Sequence, residues 1–127
     1  MKRKIIFLTD NLFYNRDYVR FGFRYLKKFF QIEVINVSNI TKPSFIKNIK
    51  EKNFRFKNVN YFNNLDELKK YISNSRFDYS YDFLGVDSKS WKIRKILVKE
   101  NIKFLKIFND DQTVLNLNKK SFLKRIL

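Results

Sequence analysis

The first 37 residues decide most of what this chain can become. Lys4 to Thr9 is a short unbroken run of β-forming apolar residues that ends in Asp10-Asn11. That is the pattern of a strand buried on both faces, and such strands belong to parallel sheets. After Asn11 to Arg16, the residues Tyr18, Phe21, Gly22, Tyr25, Leu26 and Phe29 recur at i, i+3, i+4, i+7, i+8 and i+11, which draws one helical stripe. The spacing predicts a single helix over Asp17 to Phe30. Asp17 is placed as its N-cap, and Gly22 lies on the apolar side, where a missing side chain lets a helix approach a sheet closely. Ile32 to Val37 is β-branched throughout and reads as a second strand, entered by a tight turn at Gln31. Strand, helix and strand within about 35 residues make a βαβ unit with a right-handed crossover.

The same alternation runs on through the remainder of the 127 residues. Pro43-Ser44 followed by Phe45, Ile46 and Ile49 predicts a short helix between two loops. Val59 to Phe62 is a candidate third strand, and Asn64 and Glu67 have capping-box spacing ahead of a helix over Leu65 to Ser73. Phe77, Tyr79, Tyr81 and Phe83 alternate with Asp78, Ser80 and Asp82, as in a strand with two unlike faces. Gly85-Val86-Asp87-Ser88 supplies a turn and an N-cap for a helix carrying Trp91, Ile93, Ile96, Leu97 and Val98, and Phe104 to Phe108 is strand five. Residues 109–127 read as a polar loop and the start of an amphipathic helix on which the chain stops. The expected architecture is one Rossmann-like domain over 1–127: a three-layer α/β/α sandwich around a mostly parallel five-stranded sheet in the order 3-2-1-4-5.

Composition removes whole classes of chemistry. The chain has no histidine and no cysteine, so Cys/His zinc sites, histidine triads, thiol nucleophiles, thiolate-held iron–sulfur clusters and disulfides are excluded. Lys and Arg number 28 against 12 Asp and Glu, a formal charge of +16, which turns attention to anionic partners. Two accounts of that charge stay open. Alanine is absent, and Lys, Asn, Phe, Ile and Tyr make up 70 of the 127 residues, all types with AT-rich codons. Twenty Lys against eight Arg fits mutational bias better than a phosphate-reading surface built on arginine's bidentate fork. The apolar run Ile5 to Leu8 is shorter than the roughly 7 to 15 residues of a signal-peptide core, and no run approaches the roughly 18 of a transmembrane helix. A cytoplasmic protein is expected, peripheral at the inner face of the membrane if its charge takes it there. Phe54-Arg55-Phe56-Lys57-Asn58 has the interleaving of a stacking platform for single strands. Without any RNP, KH or helix-turn-helix pattern, nucleic acid is not the expected partner.

In open sheets of this kind ligands bind beyond the carboxyl ends of the strands, which here means Asp10 to Arg16, Gly85 to Asp87 and Asn109 to Asp111. The loop after strand one has no glycine, so it is not a GxGxxG phosphate cradle, and neither a tightly bound NAD or FAD nor another resident cofactor is expected in this domain. It presents Asp10, Asn11, Tyr14, Asn15 and Arg16, donors and acceptors suited to a hydroxyl-rich ligand. The plain alternative is that the Asx residues make turns, Asp17 caps and Tyr14 covers the sheet. Arg16, Arg20 and Arg24 form an i, i+4, i+8 row from the helix N-terminus, where anions are favoured, though an outward basic face needs no ligand. Asp82 and Asp87 near the end of strand four, with Asp110 and Asp111 after strand five, could converge as a general base or metal set, or serve as caps and solvated loop, and Asp82, Asp87 and Asn109 are candidates to touch the substrate. A receiver domain shares this topology but needs an acceptor aspartate after strand three, and Asn60 to Asn64 contains none. No metal site and no catalytic residue can be assigned from these residues.

Lys4-Ile5-Ile6-Phe7-Leu8-Thr9-Asp10-Asn11, followed by Asn15-Arg16-Asp17-Tyr18-Val19-Arg20-Phe21-Gly22, resembles the start of bacterial surface-polysaccharide biosynthesis proteins related to two-domain GT-B glycosyltransferases. Arg-Asp-Tyr-x-Arg-Phe-Gly over Arg16 to Gly22 carries the resemblance, and topology extends it to about Phe108. The resemblance implies the acceptor-side half of a glycosyltransferase-like protein, incomplete for catalysis alone. Its partners would be a glycan or lipid-linked acceptor and a C-terminal domain that holds the nucleotide-sugar donor. Arg16, Asp17, Tyr18, Arg20 and Gly22 match the motif, with Tyr18 and Gly22 read as packing residues.

Overall fold

Side chains alternate along the first strand, β1 (Arg3–Thr9), so that Ile5 and Phe7 point to one side and Ile6 and Leu8 to the other, all at most 2% exposed. A strand buried on both faces needs a layer on each. The computed structural model, which describes residues 2–44 and 56–105, supplies both layers. After β1 come α1 (Asn15–Arg20), α2 (Phe23–Leu26), β2 (Phe30–Asn36) and α3 (Ser38–Thr41), then β3 (Val59–Tyr61), α4 (Leu65–Ser75), β4 (Tyr79–Asp82), α5 (Ser88–Lys99) and β5 (Lys103–Leu105).

The five strands pair in the order β3-β2-β1-β4-β5, and every pairing is parallel. This is the expected α/β Rossmann-like sheet. Its register sets Phe7 beside Val34 and Tyr81, and Leu8 beside Ile35 and Asp82, so each face carries its own row of side chains. One face packs Ile6, Leu8, Ile35, Leu68, Ile72, Ile93 and Leu97 under α4 and α5. The other packs Ile5, Phe7, Phe13, Phe23 and Val34, with Tyr81 and Phe83 against them. Chain order reverses between β1 and β4, and this is the topological switch point where such sheets take ligands.

Two caps lie where the spacing puts them. Asn64 Oδ1 accepts the Glu67 N–H at 2.9 Å, and Asp87 Oδ1 accepts the Ser90 N–H at 2.8 Å. The first crossover differs from expectation. In place of one helix over Asp17 to Phe30 there are two short ones, separated by Gly22 at φ +69°, ψ 31°. The Gly22 N–H donates to the Val19 carbonyl at 3.0 Å, and its own carbonyl accepts from Tyr25 and Leu26, so one glycine ends α1 and starts α2. A left-handed residue costs glycine little and other residues more. Gly22 therefore serves backbone conformation and not close packing, since a Cβ there would meet nothing within 4 Å. The break also re-aims the stripe: Phe23 is 2% exposed, whereas Tyr25 and Phe29 are each 69% exposed. Asp17 is not the N-cap. Tyr14 takes that position, and Asp17 Oδ2 reaches back to accept the Tyr14 N–H at 2.9 Å.

Strand two starts earlier than the β-branched run because Phe30 and Gln31 already pair with Arg3 and Lys4. Phe77 precedes β4 and turns to the aliphatic face, away from Tyr79, Tyr81 and Phe83. The four-residue α3 has no periodicity long enough to announce it. The helix predicted around Phe45, Ile46 and Ile49, the end of strand five at Phe108, and the loop and helix over 109–127 lie outside the described residues.

Candidate functional site

A cleft of about 440 Å³ opens at the switch point, beyond the carboxyl ends of β1 and β4 on the aromatic face. Asn11, Tyr14, Arg16 and Arg20 line it, together with Thr9 and Asp17. Its floor is aromatic. Phe7, Phe21 and Phe83 lie with ring centroids 5.1 to 5.6 Å apart, and Phe13 stacks beside Phe21 at 6.3 Å.

The rim is cationic and is held from below. Asp17 is 8% exposed, and its carboxylate fixes the start of α1 through the Tyr14 N–H while Oδ1 lies 3.1 Å from the Arg20 guanidinium. Arg20 also stacks over the Phe21 ring, 4.7 Å from its centroid, and Arg16 stacks over Tyr14 at 5.0 Å. Two exposed guanidiniums at the cleft are thus set on aromatic planes, and one of them is partly neutralised by Asp17. Planar five-donor forks of this kind suit phosphate or carboxylate oxygens. Apolar ring faces below them suit the flat, C–H-rich side of a sugar or an isoprenoid chain.

The other sequence candidates go elsewhere. Asp10 is 3% exposed and faces α3, accepting from Thr41 Oγ1 at 3.1 Å and pairing with Lys42 at 3.4 Å. Asn11 is tied to the same lysine through Oδ1 at 3.1 Å, and its carbonyl accepts from Asn36 Nδ2 at 2.8 Å. Asn15 begins α1 and does not line the cleft. Asp82 makes a two-point ion pair with Arg94, Nε to Oδ2 at 2.5 Å and Nη2 to Oδ1 at 3.2 Å, with both side chains under 10% exposed. It also accepts the Leu84 N–H at 2.8 Å. Asp87 caps α5, and the Ser90 N–H, with further backbone and hydroxyl donors, holds its carboxyl below the usual range. The row Arg16, Arg20, Arg24 is broken at Gly22, so Arg24 does not join the other two at the cleft. Asn109, Asp110 and Asp111 lie outside the described residues. Among the described residues no three carboxylates gather as a metal set.

Sequence reasoning missed Phe21 and Phe83 as cleft floor, Asn36 as the clamp on the β1 loop, and Arg94. Asn36 could have been found, since a buried strand that ends in Asn at its ligand-side end needs a partner for that amide. Arg94 offered no signal beyond one Arg among the lysines of a helix.

A parallel five-stranded sheet in this order defines an α/β Rossmann-like protein. No family model matches the chain, and no curated protein matches it. A solved structure described as the crystal structure of RSP in complex with beta-NADH superposes with a TM-score of 0.53 at 10% identity, over 99% of this chain. This chain spans 65% of that protein's length. At that identity the likeness establishes the fold.

Proposed function

We propose that this is the acceptor-side domain of a glycosyltransferase-like protein of surface polysaccharide biosynthesis. Its cleft takes the phosphate-proximal end of a lipid-linked or growing glycan. The observation that carries this is the pairing of Arg16 and Arg20 over a floor of Phe7, Phe21 and Phe83 at the switch point. Phosphate oxygens engage the guanidiniums, the sugar face lies on the rings, and Asn11 and Tyr14 supply the remaining hydrogen bonds. Arg16 and Arg20 belong to the Arg-Asp-Tyr-x-Arg-Phe-Gly stretch that carries the resemblance. The structure adds a reason for that stretch to act as a unit, since Asp17 orients Arg20 and Gly22 ends the helix that holds both. No described residue of the cleft is placed as nucleophile or base. The nucleotide-sugar donor and the chemistry of transfer are assigned to a second domain.

An NMR titration with a short-chain prenyl diphosphate linked to an amino sugar tests this reading. Shifts should centre on Asn11, Tyr14, Arg16 and Phe83, and Arg16→Ala should weaken binding about tenfold, the scale of one charge-assisted contact. The β1 loop lacks the glycines of a dinucleotide cradle, so NADH added in parallel should leave these signals unmoved. Binding of NADH in the cleft, with no response to the glycan-linked diphosphate, would overturn the proposal.

A further inference from the structure

The helix break at Gly22 turns part of the aromatic stripe outward, and the surface it makes is separate from the cleft. Tyr25 and Phe29 are each 69% exposed. One cation stacks on the pair and another lies on the neighbouring ring: the Lys28 ammonium is 5.6 Å over Tyr25, and the Lys27 ammonium is 4.9 Å over Tyr18. Lys2 Nζ donates to the Lys27 carbonyl at 2.6 Å, and Arg24 is exposed on α2. From Tyr18 to Ile32 the chain carries Arg20, Arg24, Lys27 and Lys28 and not one Asp or Glu. Codon bias can supply lysines and phenylalanines, but it does not choose which side of a helix break faces water.

We infer that Tyr25, Phe29, Lys2, Arg24, Lys27 and Lys28 form a docking surface for an anionic lipid bilayer. The two rings sit at headgroup depth and the four cations sit among the lipid phosphates. Charge complementarity selects this occupant. A second copy of a chain with net charge +16 would be repelled, whereas anionic leaflets attract basic residues and accept amphipathic rings at their interface. Single-stranded nucleic acid would need open ring faces for stacking, and the Lys28 ammonium covers one face of Tyr25. The patch adjoins Phe30, at the amino end of β2, while the cleft opens at the carboxyl ends. Docking therefore leaves the cleft mouth clear. The inference stands on the exposed patch and is independent of what the cleft binds.

Co-sedimentation of the full chain tests it, using vesicles of phosphatidylcholine alone and with about a third phosphatidylglycerol, over a range of salt. Binding is expected on the anionic vesicles alone. The pair Lys27→Glu and Lys28→Glu should lower partitioning by about fivefold or more for each cation lost, and Tyr25→Ser with Phe29→Ser should lower it at every salt concentration. Lys95→Glu with Lys99→Glu, an equal charge change on exposed positions of α5, should leave it within about twofold. All the substituted side chains are exposed, and circular dichroism checks that each variant is folded. Equal losses from the two lysine pairs, no effect of the aromatic pair, or a single-stranded oligonucleotide that displaces the vesicles would each overturn the inference.

Discussion

The two faces of the sheet are built from different materials. Under α4 and α5 the side chains are aliphatic, with Ile6, Leu8, Ile35, Leu68, Ile93 and Leu97 all fully buried. Under α1 and α2 rings predominate beside Ile5 and Val34, with Phe7 at the centre touching Phe21, Phe23, Tyr81 and Phe83 at centroid distances of 4.4 to 5.6 Å. Branched aliphatic side chains interdigitate beneath helices of 11 and 12 residues, and the cavity of about 450 Å³ that Ile72, Phe77 and Ile102 line on that side lies at the amino ends of the strands, beside Arg3, Tyr79 and Lys103. Large planar rings beneath helices of 6 and 4 residues do not interdigitate in this way, and they leave the cleft. The aliphatic face is thus expected to carry more of the stability, and the aromatic face is the one that opens at the carboxyl ends of the strands, where such sheets take ligands.

Substitutions on each face test this contrast. The largest effect should come from Asp82→Ala on the aliphatic face, which strands the Arg94 guanidinium in a site 4% exposed and should cost about 3 to 5 kcal/mol in urea denaturation. Replacing Asp82 and Arg94 together by Leu and Met should recover most of that loss. Next, Leu97→Ala should cost about 2 to 5 kcal/mol, whereas Phe21→Leu on the cleft floor should cost less than about 1.5 kcal/mol. Equal costs would mean that the aromatic face is a core like the other. Gly22→Ala should cost about 1 kcal/mol through the left-handed backbone alone, because no neighbour crowds the added methyl. Chemical shifts for Arg16 and Arg20 report whether the cleft rim moves with it.

The smallest effects are those of pH, and both belong to the aliphatic side. Burial, followed by the hydrogen bond and charge of Glu33, pushes the Tyr71 hydroxyl up to about 12. A raised phenol favours the protonated folded form, so its contribution is complete below about pH 10 and is lost as pH rises towards 12. Asp87 is shifted the other way. Its contribution is present above the unfolded carboxylate value of about 3.9 and disappears as pH falls through the lower folded value. Thermal melts should therefore show a plateau between these limits. A decline inside it would mean that another group is titrating.

Legibility followed the length of the pattern. The β1 run, the capping residues Asn64 and Asp87, and the alternation of Tyr79, Tyr81 and Phe83 along and just past β4 are local signals found in place, while Phe77 leaves that alternation for the aliphatic face. The predicted single helix failed at Gly22 because hydrophobic spacing cannot tell a glycine that packs from a glycine at positive φ. Of the residues singled out for the site, Asn11, Tyr14, Arg16 and Arg20 meet at the cleft, while Asp10, Asp82 and Asp87 are engaged in ion pairs or a cap. A carboxylate near a strand end looks the same in sequence whether its partner is a ligand or an arginine twelve residues on.

Local patterning alone determined that this chain alternates strands with helices, that its sheet is mostly parallel, and that histidine and thiol chemistry are excluded, because periodicity and composition are properties of neighbours along the chain. Only the tertiary structure decided that phenylalanines from β1 and from the positions just past α1 and β4 form one floor, that Asp17 serves Arg20 while Asp82 serves Arg94, and that Tyr25 and Phe29 face outward. Those outcomes depend on side chains far apart in sequence meeting across a sheet, and on one backbone torsion at Gly22 that no spacing of residues encodes.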